Sequence, residues 1–233
     1  MNISCHHYHR LTGYDRHHIS PHRLDWAGQP QLDKHYPDLP TVNLPEPSKL
    51  PSAGLREVLA GKIKPGSGDI PGLGQISRAL HLANGLTGRS RQGNGYFYFR
   101  SPPSAGALYP NELYLAWFNT NEELEAGVYY FDTYQRRLIR IRHNNFRGFF
   151  TDVDKNTGGL VLMTGIFFRS AWKYRKRAFR YVLLDGGHLL ESTRLALVAN
   201  GRKIVLGYDF DDDQYNRLLG LDTHFLQKPT GLR

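Results

Sequence analysis

One stretch constrains this chain more than any other. Residues 179–200, FRYVLLDGGHLLESTRLALVAN, carry apolar side chains at helical spacing around much of the circumference. Asn200-Gly201 then supplies a left-handed stop. A helix that is apolar on more than one side needs packing partners in several directions, so this segment predicts a central helix inside a layered domain. Within it, Gly186 and Gly187 each cost about 1 kcal/mol relative to alanine. Two together require a reason: another element packed on the backbone, or a planar ligand laid against it. His188 beside them is either a satisfied packing residue or a group that faces such a ligand.

The remaining segments supply the layers. Residues 112–118 (ELYLAWF) read as a strand. Residues 127–132 (GVYYFD) and 136–142 (RRLIRIR) read as a hairpin that turns at Thr133, Tyr134 and Gln135. GGLVLMTGIFF, 158–168, reads as a buried strand, and KIVLGYDF, 203–210, as a last strand. Leu73, Ile76, Leu80 and Ala83 have helical spacing over 73–86, and 52–60 predicts a shorter helix. The Gly-rich stretches 61–74 and 85–95 read as loops. Asp211 caps a short helix over DDDQYNRLLGL, with Gln214 at the capping-box position. This order predicts an α+β fold, with an antiparallel-rich central sheet flanked by helices. Residues 1–50 form an arm rich in His, Pro and Asp. Its prolines oppose a long helix, while Trp26, Tyr36 and Leu44 predict that it packs on the body, residues 51–233.

Composition narrows the class. No apolar run approaches the roughly 20 residues of a membrane span, and no secretory leader is expected. The single cysteine, Cys5, excludes an internal disulfide framework and suits a reducing, cytoplasmic setting. The net charge of +9 attracts anions, but no basic run extends beyond a few residues, so nucleic acid is not the expected partner. Cys5, His6, His7, His9, His17, His18 and His22 match no standard zinc spacing, and no metal site is expected.

Two further segments have the residues for chemistry. In RSPPSAGALYPNELYL, 100–115, Pro103 holds Pro102 extended, and Ser104, Ala105, Gly106 and Ala107 are small. Small side chains let backbone N–H groups approach a flat ligand; an ordinary loop-to-strand junction has the same look. In SAWKYRKRAFRY, 170–181, Trp172, Lys173 and Tyr174 set an aromatic platform, a cation and a phenol side by side. Lys173 or Tyr174 could move a proton if burial tunes its pKa.

Taken in order, PSAGALYPNELYL, GVYYFD, WKYRKRAFRYVLLDGGH and YDFDDDQYNRLLGLD resemble the SagB-type dehydrogenases of the nitroreductase superfamily. The opening YHRLTGYDRHHISPHRLDWAGQPQLDKHYP resembles the leader of a longer subgroup that fuses two nitroreductase-like halves. The resemblance implies an FMN-dependent α+β fold, working as a homodimer or paired with a second half, with FMN at the interface. It implies hydride transfer at flavin N5, with a peptide azoline or another small unsaturated substrate. It implies that Pro103, Ser104, Ala105 and Gly106 contact the ribityl chain and isoalloxazine. Gly187 and His188 would lie near the cofactor or the dimer contact, and Leu206, Gly207 and Tyr208 would line the flavin edge. Lys173 and Tyr174 match a Lys-Tyr pair that abstracts protons.

Three departures stand out. The family carries an Arg-Arg-Ser-x-Arg-like stretch near the first helix to grip the FMN phosphate. Here that region is LREVLAGKIKPGSGD, with only Arg56, Lys62 and Lys64. LLESTRLA follows His188 where the family tends to have Gln-Asn. The chain ends in HFLQKPTGLR where the family continues into another strand, which is the pattern of a first half alone. These departures open a second reading: a degenerate, non-catalytic half that binds a partner.

Overall fold

The computed structural model describes residues 4–13, 15, 22–47, 50–51, 54–66, 70–150 and 153–221. The chain order is α1 (Cys5–Thr12), β1 (Thr41–Asn43), α2 (Leu55–Leu59), α3 (Leu73–Asn84), β2 (Leu86–Gln92), β3 (Gly95–Arg100), β4 (Asn111–Trp117), β5 (Gly127–Asp132), β6 (Arg137–His143), β7 (Gly159–Gly165), α4 (Phe167–Tyr174), α5 (Ala178–Ala199) and α6 (Asp212–Leu219). Five strands form one sheet in the order β1-β6-β5-β4-β7, every neighbouring pair antiparallel. The fold is therefore α+β, as the pattern predicts.

The sheet is buried on both faces because its central strands alternate two apolar sets. Leu113, Leu115, Trp117, Tyr129, Phe131 and Leu138 face one way and meet Ile76, Leu80 and Ala83 of α3 and Leu189 and Ala196 of α5. Tyr114, Ala116, Val128, Tyr130 and Ile139 face the other way and meet Phe150 and, from α6, Leu218 and Leu219. Each fully buried large side chain contributes roughly 1.5–3 kcal/mol, so these two layers dominate the favourable side of folding. At Gly127 a side chain is excluded, because a β-carbon would lie 2.7 Å from the Arg142 carbonyl oxygen.

Several expectations change on meeting this architecture. The arm holds a helix, α1, capped by Ser4, and an outer strand, β1, which pairs with β6. Leu44 is buried in the core and Tyr36 packs on Tyr130, whereas Trp26 stays exposed and meets Trp172 edge-on. Residues 86–100 form a hairpin of their own, not a loop; its residues are mostly exposed on both faces, so no burial rhythm marks it. The expected strand at 158–168 ends at Gly165 and is half-buried, because β7 lies at the sheet border; Phe167 and Phe168 open α4 instead. Residues 203–210 form no strand, since no neighbouring strand accepts them, and Val205 and Tyr208 stand in solvent. Asp211 caps α6 as expected, accepting from the N–H groups of Asp213 and Gln214.

The long helix also departs in one respect. Val182, Asp185, Gly186, Leu189, Thr193 and Ala196 of α5 are buried, but Phe179, Leu183 and Leu184 are exposed. Phe179 stacks on the exposed Phe167 of α4, with ring centroids 5.7 Å apart. The apolar circumference thus serves the core on one side and leaves an uncovered patch on the other. His17, His18 and the closing HFLQKPTGLR lie outside the described residues.

Candidate functional site

Pro102 to Tyr109 leave the hairpin and enter β4 through a 3-10 turn at Ala105–Ala107. Three backbones there have positive φ: Gly106 at 64°, Ala107 at 53° and Tyr109 at 45°. Ser104 closes the turn by accepting the Tyr109 N–H on its Oγ at 2.9 Å. The same hydroxyl donates to Asp185 Oδ2 at 2.6 Å, and the Ala105 N–H donates to Asp185 Oδ1 at 3.1 Å. The turn is thereby tied to α5 one residue before the glycine pair. The Ala105 N–H, expected to be free for a ligand, is spent on this carboxylate. Sequence reasoning does not single out Asp185, although an acid directly before the glycine pair of an apolar helix marks it.

The two glycines have different causes. At Gly186 a β-carbon would sit 3.2 Å from Asn111 Nδ2, so this glycine lets β4 press against α5. At Gly187 a β-carbon would meet nothing within 4 Å, so packing inside the chain does not explain it. His188 next to it is exposed, and its Nδ1 contacts the Leu184 carbonyl oxygen at 2.9 Å, one turn back.

Lys173 and Tyr174 end α4 against the same turn. A β-carbon at Gly106 would lie 2.6 Å from Tyr174 Oη and 2.8 Å from Lys173 Nζ. Glycine suits the positive φ there and leaves room for the ends of these two side chains. Tyr174 also lies on Tyr181 of α5, with ring centroids 4.2 Å apart. The arm braces this end of α4: His22 Nε2 contacts the Lys173 carbonyl oxygen at 3.0 Å, and Trp172 Nε1–H donates to Asp25 O at 2.6 Å. The fold therefore brings together Pro103, Ser104, Ala105, Gly106, Lys173 and Tyr174, with Gly187 and His188 two to three residues beyond Asp185 on α5. Leu206, Gly207 and Tyr208 lie in the exposed irregular stretch between α5 and α6.

A buried charge cluster that sequence reasoning did not find supports the loop from beneath. Glu112 of β4 and Arg169 of α4 are paired and almost wholly buried, and Arg100 Nη1 lies 3.8 Å from the same carboxylate. Arg169 donates to Tyr109 O and Gln31 O, both at 2.9 Å, and Arg100 donates to Leu32 O at 2.9 Å. Tyr130 Oη–H donates to Glu112 Oε2 at 3.2 Å. Lys34 donates to Tyr114 Oη at 2.7 Å; burial pushes its ammonium below the ordinary lysine value, with Glu112 opposing. Burial likewise raises the Tyr36, Tyr114 and Tyr130 phenols. The strand pattern gave no sign of these contacts, since the partners lie far apart in sequence.

The site as a whole favours a ligand laid on its outside. Between Pro103, Ser104, Asn111, Asp185 and Leu189 there is only a slit of about 10 Å³, room for one water at most. Asn111 Oδ1, which borders it, is buried without a hydrogen-bond partner. A three-ring flavin therefore has no enclosed cavity in the turn itself. Outside the turn, Gly187 is open, Lys173 Nζ lies beside Gly106, and Leu183 and Leu184 are exposed. Among the described residues, no group of three or more His, Cys, Asp or Glu is disposed to hold a metal ion. No described helix is long and apolar enough to cross a membrane.

Comparison with known proteins agrees with the fold. No family model matches the chain. A Methanocaldococcus jannaschii protein named as a nitroreductase is 27% identical over 168 residues, covering 68% of this chain and 80% of that protein. A crystal structure from Anabaena variabilis, also named as a nitroreductase, superposes with a TM-score of 0.75 at 30% identity and covers 93% of this chain. This chain spans 43% of that protein's length. A Ralstonia eutropha structure named in the same way gives a TM-score of 0.57 at 20% identity, over 78% of this chain and 83% of that one. The E. coli microcin synthetase McbBCD complex, solved with a truncated pro-microcin bound, gives 0.50 at 24% identity, over 63% of this chain and 57% of that one. The last two bear on fold alone. The chain is nitroreductase-like in sequence and has a nitroreductase-like α+β fold.

Proposed function

We propose that this chain is an FMN-dependent oxidoreductase of the SagB type, acting on a peptide azoline or another small unsaturated substrate in the cytoplasm. The observation that supports it most is the meeting at Gly106 of the small-residue turn with Lys173 Nζ and Tyr174 Oη, and the tie of that turn through Asp185 to the helix with the open Gly187. Pro103, Ser104, Ala105 and Gly106 would hold one side of FMN, Gly187 and His188 would flank it, and Leu206, Gly207 and Tyr208 would line its edge. When bound, FMN supplies two-electron chemistry at N5. The chain's own part is to orient the substrate over the turn and to take its proton on Lys173 or Tyr174. Once Lys173 has taken that proton, its ammonium also favours electron density that gathers nearby.

A ring laid on the outside needs a cover to exclude water. The exposed Phe167, Phe168, Phe179, Leu183 and Leu184 form an apolar patch that suits a second copy or a second nitroreductase-like half. The visible spectrum and FMN titration of the purified chain, with light scattering, test the reading. A flavin band and an FMN-loaded dimer are expected. In that dimer Lys173→Ala should lower turnover at least tenfold while FMN stays bound, and unchanged turnover refutes the proton role.

One observation favours a second reading, a degenerate half that binds a partner. The cations that stand where phosphate-gripping arginines are expected, Arg56, Lys62 and Lys64, are exposed. This reading expects no flavin band, no FMN uptake, and association with a separate nitroreductase-like half.

A further inference from the structure

Beyond Arg100 at its end, which joins the buried cluster, the β2–β3 hairpin takes no part in the site described above. It forms a two-stranded sheet separate from the main one, and residues 87–96 are exposed. A lone two-stranded hairpin is marginally stable in water, and its outer edges present unpaired backbone groups. Its register sorts the side chains into two faces. Arg89 stands opposite Tyr98 and Arg91 opposite Tyr96, so one face is cationic and phenolic. Gly88 stands opposite Phe99 and Ser90 opposite Phe97, so the other face sets two rings beside small residues. The rings touch edge to face at 5.3 Å, and Phe99 is 41% exposed. Arg89 lies over the Tyr96 ring at 4.6 Å, which holds its guanidinium extended on the ribbon.

Charge points to the occupant. Residues 87–96 contain two arginines and no acid, and both, Arg89 and Arg91, are exposed. At the foot of the hairpin a cleft of about 240 Å³ is lined by His81, Leu86, Tyr134 and Arg136, with Tyr98 of the cationic face resting on Tyr134. We propose that β2 takes up an extended acidic peptide as a third strand, with acidic side chains over Arg89 and Arg91 and alternate apolar side chains over Phe97 and Phe99. A strand satisfies the free backbone edge as well as the charge, which a nucleic acid does not, and period-two alternation matches the two faces. The cleft receives a side chain at the end of the bound strand. The inference is independent of the flavin reading, since hairpin binding and flavin content are measured separately.

The test uses the full chain and a fluorescein-labelled ten-residue peptide of alternating Glu and Val. Its controls are a peptide of the same composition in two blocks, an alternating Lys and Val peptide, and a single-stranded RNA of equal charge. Anisotropy should show binding of the alternating acidic peptide only. Arg89→Ala with Arg91→Ala should weaken it at least tenfold, and raising salt from 0.05 to 0.5 M should weaken it similarly. Both arginines are exposed, so the melting temperature of the variant should not change. Hydrogen exchange at the amides of 87–92 should slow when the peptide binds. Equal binding of the block or lysine peptide, or tighter binding of RNA, overturns the proposal. So does concentration-dependent protection of those amides without peptide, which would assign the edge to a second copy.

Discussion

Replacing Glu112 by Gln tests the charge cluster beneath the site. The change keeps the side chain's shape and removes its charge. Glu112 is wholly buried, pairs with Arg169, and accepts from Tyr130 Oη at 3.2 Å, with Arg100 Nη1 at 3.8 Å. Removing one partner from a buried pair costs about 3–5 kcal/mol, because the other charge stays in place without compensation. Here Arg169 keeps the carbonyls of Tyr109 and Gln31, and Arg100 keeps that of Leu32, so the loss belongs near the lower end, about 3 kcal/mol. For a domain of this size that corresponds to a fall in Tm of roughly 6–12 °C. Urea unfolding followed by circular dichroism reads it, provided the slope against urea is unchanged. Glu112→Gln combined with Arg169→Met should recover part of the loss, since a cation then leaves along with its anion. A change under about 0.5 kcal/mol in the single variant would refute the reasoning, because that is the scale of an inert surface substitution.

Two other outcomes follow from the geometry. Gly187→Ala meets no neighbour, so it should stabilise the isolated chain by up to about 1 kcal/mol through helix propensity, while weakening FMN retention if a ring lies there; thermal melting and flavin titration check both. Lys34, whose pKa burial lowers, should make stability rise with pH from its folded value toward 10.5, since the unfolded chain there holds a proton that the folded chain has shed. Above about pH 10 the buried phenols of Tyr36, Tyr114 and Tyr130 reverse the trend, because they ionise first in the unfolded chain. Lys34→Met should abolish the rise and keep the fall, as read from urea midpoints across pH 7 to 11.

Periodicity reports burial on one face, and the elements that obeyed it were legible. Ile76, Leu80 and Ala83 marked α3, and the apolar run GVYYFD followed across a short turn by RRLIRIR marked the β5–β6 hairpin. The β2–β3 hairpin escaped because Thr87, Arg89 and Arg91 face solvent as fully as Gly88 and Ser90 do. Residues 203–210 misled in the opposite sense: Val205 and Tyr208 have strand chemistry but find no strand beside them. In the candidate site the Ser104–Gly106 turn and the Lys173-Tyr174 pair were visible as residue types. That Asp185 joins the turn to α5, and that Arg169 ties α4 to Tyr109 and Gln31, depended on contacts that local pattern does not encode.

The opening segment has a practical consequence. Gln31 and Leu32 lend their carbonyls to two enclosed guanidiniums, and Thr41–Asn43 finishes one border of the main sheet. A fragment begun at residue 51, where the sequence suggests a convenient cut, would lose acceptors for both guanidiniums and bare the Arg137–Ile139 backbone to aggregation. Expression designs and fusion junctions need to retain residues 22–47 in full, and a protease that clips within them would destabilise everything downstream.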